Sequence, residues 1–118
     1  MKARSAKAKG RALQNLVRDR VMQSFPNFEL DIDIRSAIMG ETGEDIKLSK
    51  KARESFPFSV ECKSLKTISV YRHYDQARKN CPPEAQPLVV VKENRRKPLA
   101  VIDFEYFMEM IDGRNKNT

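Results

Sequence analysis

Two short acid-x-lysine segments carry the residue types best suited to chemistry, Asp45-Ile46-Lys47 and Glu61-Cys62-Lys63. Because 33% of the chain is charged, chance alone produces such pairs, and either could be no more than a solvated strand face. The surrounding residues favour a functional role for the second segment, Glu61-Cys62-Lys63. Apolar and polar residues alternate through positions 58–63, so an extended strand would place Glu61 and Lys63 together on its polar face.

A second carboxylate lies sixteen residues earlier, at Asp45, after a segment with two glycines. Adjacent strands would bring Asp45 and Glu61 close enough to share a metal ion. Mg²⁺ prefers oxygen ligands and keeps several waters, and the Cys62 carbonyl is a further candidate ligand. Lys63 could then orient a nucleophile or neutralise charge in phosphodiester hydrolysis. The pattern therefore predicts a hydrolytic metal site.

Some alternatives to these assignments stay open. Glu44 competes with Asp45 as the first ligand, although in an extended segment it would point to the opposite face. His73, the single histidine, is interpreted as a packed or exposed helix residue in preference to a general base. The two cysteines, with His73, lack the spacing of a zinc site and are too few for a disulfide framework.

A formal net charge of +7 on 118 residues favours a polyanionic partner, most commonly nucleic acid. Residues 1–7 are interpreted as a basic arm. Arg11, Gln14 and Arg18 form one stripe of a first helix, where they could face a phosphate backbone or only water. Lys9 and Lys92 are further candidate DNA contacts. No apolar stretch approaches the length of a membrane span, which favours a cytoplasmic location.

Hydrophobic periodicity predicts three longer helices, at about 10–24, 70–80 and from 104 to Gly113, and a helical turn capped by Ser49. The last helix is expected to turn Phe104, Phe107, Met108 and Ile111 inward. Alternation and apolar runs predict strands at 28–34, 44–48, 58–63, 88–91 and 99–102, the last two forming a hairpin. The order, α-β-β-β-α-β-β-α, indicates an α/β fold with no repeat.

Four segments together resemble the PD-(D/E)XK nuclease superfamily, and most closely its small phage-encoded endonucleases and Holliday junction resolvase-like members. They are the stretches at residues 8–14, 39–45 and 56–63 and the pair Gln76-Ala77. The resemblance implies a restriction-endonuclease-like mixed sheet flanked by helices, within a domain of residues 8–112 that leaves 113–118 as a tail.

The resemblance also implies site residues, namely Asp45 and Glu61 as ligands of Mg²⁺ (or Mn²⁺) and Lys63 as the catalytic lysine. It makes the helix that carries Tyr71 and Gln76 a wall of the site. Gln14 stands where many resolvase-like relatives have a glutamate, so the number of metal ions stays open.

The implied activity is a Mg²⁺-dependent DNA endonuclease acting on branched or structured DNA. A homodimer is expected, through the hairpin at 88–102 or the last helix, because cutting both strands of a junction needs two active sites. The alternative is a non-catalytic basic module that binds DNA or RNA.

Overall fold

A computed structural model describes the backbone of residues 2–116 and the side chains of residues 6–113. The elements in order are α1 (Lys2–Ser24), β1 (Ile34–Ser36), β2 (Ile46–Leu48), α2 (Lys50–Ser55), β3 (Phe58–Ser64), α3 (Val70–Lys79), β4 (Gln86–Lys92), β5 (Leu99–Val101) and α4 (Phe104–Lys116). The chain is therefore a mixed α/β protein. Among the described residues, no helix is both long and apolar enough to cross a bilayer.

The strands form a parallel pair with an antiparallel neighbour, and a separate two-stranded ribbon. β3 and β4 are parallel and are joined by α3, while β5 returns antiparallel to β4 as the predicted hairpin. β1 and β2 form the antiparallel ribbon. The ribbon lies beside β3, because the Asp45 N–H, just before β2, donates to the Val60 carbonyl at 2.9 Å.

Helices cover both faces of the three-stranded sheet. On one face α1 buries Leu13, Val17 and Val21 against Val60 and Cys62 of β3. On the other, Ala77 of α3 packs against Val89 and Val91 of β4.

Register places the polar side of β3 under α3. Glu61 is paired with Val89 and Lys63 with Val91, and paired residues of parallel strands share a face. Glu61 and Lys63 therefore lie on the α3 face, together as the alternation predicts.

The helix boundaries differ from expectation at both ends of the chain. α1 begins at Lys2, so the backbone of residues 2–7, predicted as an arm, is helical; the side chains of residues 1–5 lie outside the described residues. α4 continues past Gly113 to Lys116 because a glycine can also continue a helix, at a cost of about 1 kcal/mol. Residues 117–118 of the predicted tail are likewise not described.

The predicted strand at 28–34 is wrong. Hydrogen bonds of the Asp33 side chain form there instead. Its carboxylate accepts the Glu29 N–H at 2.9 Å and the Ser49 hydroxyl at 2.8 Å. Residues 31–33 form turns and Asp31 adopts a φ of 68°, so only Ile34 begins a strand. Side-chain hydrogen bonds of this kind compete directly with a strand ladder.

The predicted inner face of the last helix is partly wrong. Phe104 and Phe107 are 69% and 43% exposed. Tyr106 packs instead, with its ring edge against Phe58 at a centroid distance of 5.8 Å. The Asp103 carboxylate caps the helix by accepting the Tyr106 N–H at 2.9 Å.

Candidate active site

The loop between β1 and β2 sets the position of Asp45. Arg35 grips Glu41 with two hydrogen bonds of 2.9 and 2.7 Å, and Glu41 also accepts the Ile38 N–H at 3.0 Å. The Arg35 guanidinium lowers the pKa of Glu41 to about 2. Gly43 has a φ of +91°, in the left-handed region that favours glycine. The loop is thus held in shape two residues before Asp45.

Asp45 uses its side chain to continue the contact with β3. Its carboxylate Oδ2 accepts the Cys62 N–H at 2.7 Å, beside the main-chain bond to Val60. The Gln14 side chain of α1 lies near this carboxylate and favours its charged form. Burial raises the pKa of Asp45 even though these contacts and two lysines, Lys47 and Lys63, oppose the shift.

Glu61 is the most buried acid of the site, with 4% of its surface exposed. Burial first, and then the neighbouring Asp45 carboxylate, raise the pKa of Glu61 to about 7, while Lys63 and the Asn80 side chain act in the opposite direction. A solvated strand face would leave this carboxylate in water. The sequence therefore predicts the position of Glu61 correctly but not its burial.

Lys63 lies beside Glu61, with Nζ 4.0 Å from Oε2 and the lysine side chain 23% exposed. The ammonium is thus partly open to solvent while the carboxylate beneath it is not. Asp45, Glu61 and Lys63 form one cluster, as predicted.

Glu44 is engaged elsewhere. Both of its carboxylate oxygens accept hydrogen bonds from Nη2 of Arg53, at 2.6 and 2.7 Å, and Nη1 of Arg53 donates to the Phe58 carbonyl. Both side chains are 11% exposed. Of the two rival acids, Asp45 is the one whose carboxylate reaches β3 next to Glu61.

Cys62 offers its main chain and not its thiol. The side chain lies in the hydrophobic cluster beneath α1, where burial and the nearby carboxylates raise the thiol pKa well above its usual range. In an extended strand the N–H and C=O of one residue point to the same edge. The Cys62 carbonyl therefore points to the edge where Asp45 binds the Cys62 N–H.

Two residues of the α3 stripe complete the neighbourhood of the cluster. Asn80, which sequence reasoning missed, lies near Glu61 and lowers its pKa, and only the tertiary fold brings this residue to β3. His73 is 4% exposed, and its Nε2 has no hydrogen-bond partner within the described part of the chain. Burial and the Lys63 ammonium lower the pKa of His73, which keeps the imidazole neutral at pH 7. The stripe His73, Ala77, Asn80 faces the sheet.

The other residues predicted from the helices divide into two groups. Arg11 and Gln14 line a surface groove of about 190 Å³ between α1 and residues 37–39. Arg18 is held by Asp19 and Asn15, at 2.8 and 3.3 Å, and does not line that groove.

On α3, Gln76 is exposed and Tyr71 is 84% exposed, and neither has a described contact with the carboxylates. Ala77, the neighbour of Gln76, forms the buried wall instead.

Lys9 and Lys92 meet on the opposite flank of α1. Together with Ser64, Asn94 and Arg95 they line a polar pocket of about 360 Å³ at the end of β3. Lys9 Nζ donates to Asn94 Oδ1 at 2.9 Å, which ties the helix to the turn between β4 and β5. These two lysines thus share one site.

The donors at the cluster fit a hard divalent cation. Asp45 and Glu61 offer carboxylate oxygens, and the Cys62 carbonyl points to the same edge, which suits an ion that keeps several waters. No group of three or more His, Cys, Asp or Glu side chains with metal-binding geometry occurs among the described residues. The oxygen set here has only two such side chains.

Comparisons with known proteins add no relative. No protein-family model matches the chain, and no match was found among curated proteins or solved structures.

Proposed function

We propose that this protein is a Mg²⁺-dependent DNA endonuclease of the PD-(D/E)XK type. One observation carries the proposal, namely two neighbouring carboxylates that repel each other, Asp45 and Glu61, with the Lys63 ammonium 4.0 Å from Glu61. Burying two acids that repel each other costs stability, and a bound divalent cation would offset that cost. Perturbed acids of this kind concentrate at functional sites.

The order of elements supports the restriction-endonuclease-like part of the proposal. With the six-residue α2 set aside, the chain runs α1-β1-β2-β3-α3-β4-β5-α4. This succession is compatible with the proposed restriction-endonuclease-like arrangement, although the first strand is short and lies at Ile34–Ser36. The parallel β3–β4 pair with α3 as its crossover places the polar face of β3 beneath a helix.

Each residue of the cluster has a role in the proposed reaction. Asp45 and Glu61, with the Cys62 carbonyl, would hold Mg²⁺, which supplies phosphate polarisation and an acidified water when bound. Gln14 would support the Asp45 carboxylate and Asn80 that of Glu61, since each side chain lowers the pKa of its neighbouring acid. Gln14 stands in the place of the glutamate expected on the first helix.

Lys63 acts on the reacting phosphate. Its ammonium lies at the exposed side of the cluster, where it can hydrogen-bond the attacking water or a nonbridging oxygen as negative charge develops. Water adds to phosphorus and releases a proton to solvent, the bridging P–O bond breaks, and the leaving oxygen takes a proton from solvent. The products are a phosphomonoester and a hydroxyl.

The substrate we propose is DNA that is branched or otherwise structured, cut by a homodimer in a phage-type recombination, repair or replication step. The groove lined by Lys7 and Arg11 leads to Gln14 and offers two cations to a phosphate backbone. Exposed apolar residues on β5 and α4 support the dimer.

Cleavage assays with four-way junctions, flaps and supercoiled plasmid test the proposal. Wild-type protein with Mg²⁺ should cut at least one of them, Glu61→Gln should lose the activity, and Glu54→Gln, at an exposed acid on α2, should keep it. If none is cut and Glu61→Gln leaves DNA affinity and its salt dependence unchanged, the protein is the alternative binding module.

A further inference from the structure

We infer that the pocket at the end of β3, lined by Lys9, Ser64, Lys92, Asn94 and Arg95, is a binding site for a phosphate group of the DNA strand. The inference deepens the proposed nuclease function and rests on it for the identity of the ligand. It assigns an anion-binding role to these five residues, at a place separate from the carboxylate cluster. From here on they are called the phosphate pocket.

Charge selects an anion for the phosphate pocket. Three of its five lining residues are cations, and none is an acid. Glu93, next to Asn94 in sequence, is turned away, because its carboxylate accepts the Ile68 N–H at 3.2 Å on the other side of the turn. The cations therefore have no carboxylate of the pocket to neutralise them.

Hydrogen-bond donors complete the phosphate pocket. Lys9 Nζ donates to Asn94 Oδ1 at 2.9 Å, so the Asn94 amide nitrogen, a pure donor, is free of that bond. The Ser64 hydroxyl adds a further donor from a residue only 8% exposed. Ammonium, guanidinium, amide and hydroxyl donors around one space are the groups that proteins use for phosphate oxygens.

The backbone at Arg95 carries an independent sign of function. Arg96 N–H closes a turn on the Glu93 carbonyl at 3.1 Å, and Arg95 in the third position has a φ of +63°. Turns of this kind favour glycine or asparagine there. Arginine is a strained choice at that position, and strained residues cluster at ligand sites. Arg95 is also one of the residues that line the pocket.

Position links the phosphate pocket to the carboxylate cluster. Ser64 follows Lys63 directly on β3 and points to the opposite face of the strand. A DNA strand that crosses this end of β3 with its scissile phosphate at Lys63 would present a neighbouring phosphate to Ser64. That phosphate is either internal to the strand or a terminal 5′-phosphate, since both offer the same oxygens.

The experiment measures affinity for a short single-stranded oligonucleotide by fluorescence anisotropy, with Ca²⁺ in place of Mg²⁺ to limit cleavage. The pocket variants are Lys9→Ala, Lys92→Ala and Arg95→Gly. The matched controls are Arg96→Ala and Lys97→Ala. Each removes one positive charge at or next to the same turn, but Arg96 and Lys97 line a different pocket, together with Glu93.

Each pocket variant should weaken binding about tenfold and reduce the slope of log affinity against log salt by about one. The controls should change affinity less than about threefold. Arg95→Gly should also melt at a temperature no lower than wild type, because glycine adopts that φ without strain. Equal losses of affinity in the pocket and control variants would overturn the proposal, because they would show that binding depends only on the net charge of the protein.

Comparing 5′-phosphorylated with 5′-hydroxyl oligonucleotides identifies the source of the phosphate. A preference for the 5′-phosphate that disappears in Arg95→Gly assigns the pocket to strand ends, while equal affinities assign it to an internal phosphate. Cleavage is a separate readout. If the pocket variants weaken DNA binding but the wild-type protein never cuts DNA, the pocket proposal stands and the nuclease proposal fails. If the protein cuts DNA and the pocket variants bind DNA as well as wild type, the nuclease proposal stands and the pocket proposal fails.

Discussion

Glu61 is an acid whose burial costs stability at neutral pH. Its side chain is 5% exposed and lies near a second acid, and both features raise its pKa. A folded-state pKa of about 7, above the usual 4.5, means that the folded protein holds this proton more tightly than the unfolded chain does. The stability from that preference is complete below about pH 4.5 and is lost as the pH rises through 7.

We therefore expect Glu61→Gln to be more stable than wild type above about pH 5, by about 1–3 kcal/mol at pH 8, because glutamine buries no charge. The gain should vanish near pH 4. Thermal melts across this range measure it. Mg²⁺ should raise the melting temperature of wild type at pH 8 but not that of the variant. A Mg²⁺ effect of equal size in both proteins would remove Glu61 from the metal site.

Asp45 combines a structural contact with the proposed metal ligation, and two substitutions separate them. Asp45→Asn can still accept the Cys62 N–H and should keep wild-type stability within about 1 kcal/mol. Asp45→Ala leaves that buried N–H unpaired and should lose about 1–3 kcal/mol. Both should reduce cleavage at least about a hundredfold. Denaturant melts and cleavage rates measure the split, and an active Asp45→Asn would make Glu44 the ligand again.

Among the elements, α2 fixes the site from a distance. Ser49 caps this helix by accepting the Ala52 N–H at 3.1 Å, and Arg53 then reaches both Glu44 and the entry of β3. The helix thus occupies Glu44 and leaves Asp45 facing Cys62. The sequence predicts the capped turn, but the partner of Arg53 depends on how α2 packs.

We expect Arg53→Leu to lose about 3–5 kcal/mol, because it leaves the Glu44 carboxylate buried without a partner. Lys50→Leu, at an exposed position of the same helix, should stay within about 0.5 kcal/mol of wild type. Urea denaturation compares the two. Below its melting temperature the folded Arg53→Leu protein should keep its Mg²⁺ affinity within about threefold, and a loss as large as that of Glu61→Gln would contradict a purely structural role.

At the scale of the whole molecule, the two flanks of α1 carry separate basic surfaces. Lys7 and Arg11 face the groove beside Asp45, whereas Lys9 faces the phosphate pocket. Part of the net charge of +7 therefore lies on both sides of one helix that packs against β3. Such an arrangement suits a strand that runs along α1.

The exposed apolar residues of α4 and β5 bear on the expected homodimer. Phe104, Phe107 and Leu99 are 69%, 43% and 55% exposed. We expect Phe107→Glu to convert a dimer at micromolar concentration into a monomer without unfolding it, because it places a charge in the paired surface. Glu109→Ala, on an exposed position of the same helix, should leave the dimer intact.

Gel filtration with light scattering distinguishes these states. The monomeric variant should still nick plasmid while losing paired cuts across a four-way junction. A wild-type protein that is monomeric at that concentration would remove junction resolution from the proposed function and favour nicking.

The sequence by itself determined what local rules control. Alternation placed Glu61 and Lys63 on one face of β3, a serine hydroxyl predicted the cap of α2, and apolar runs located β4 and β5. The same rules failed at residues 28–34, where the Asp33 carboxylate bonds to Glu29 and Ser49 more favourably than a strand would pair.

Only the tertiary structure decided which of the two acids contacts β3, since Arg53 reaches back nine residues to Glu44 and Asp45 accepts the Cys62 N–H. The position of Asn80 near Glu61 and the grouping of the residues of the phosphate pocket also could not be predicted from the sequence. Lys9 and Asn94 are separated by 85 residues, and no local periodicity encodes a contact formed by the packing of α1 across the end of the sheet.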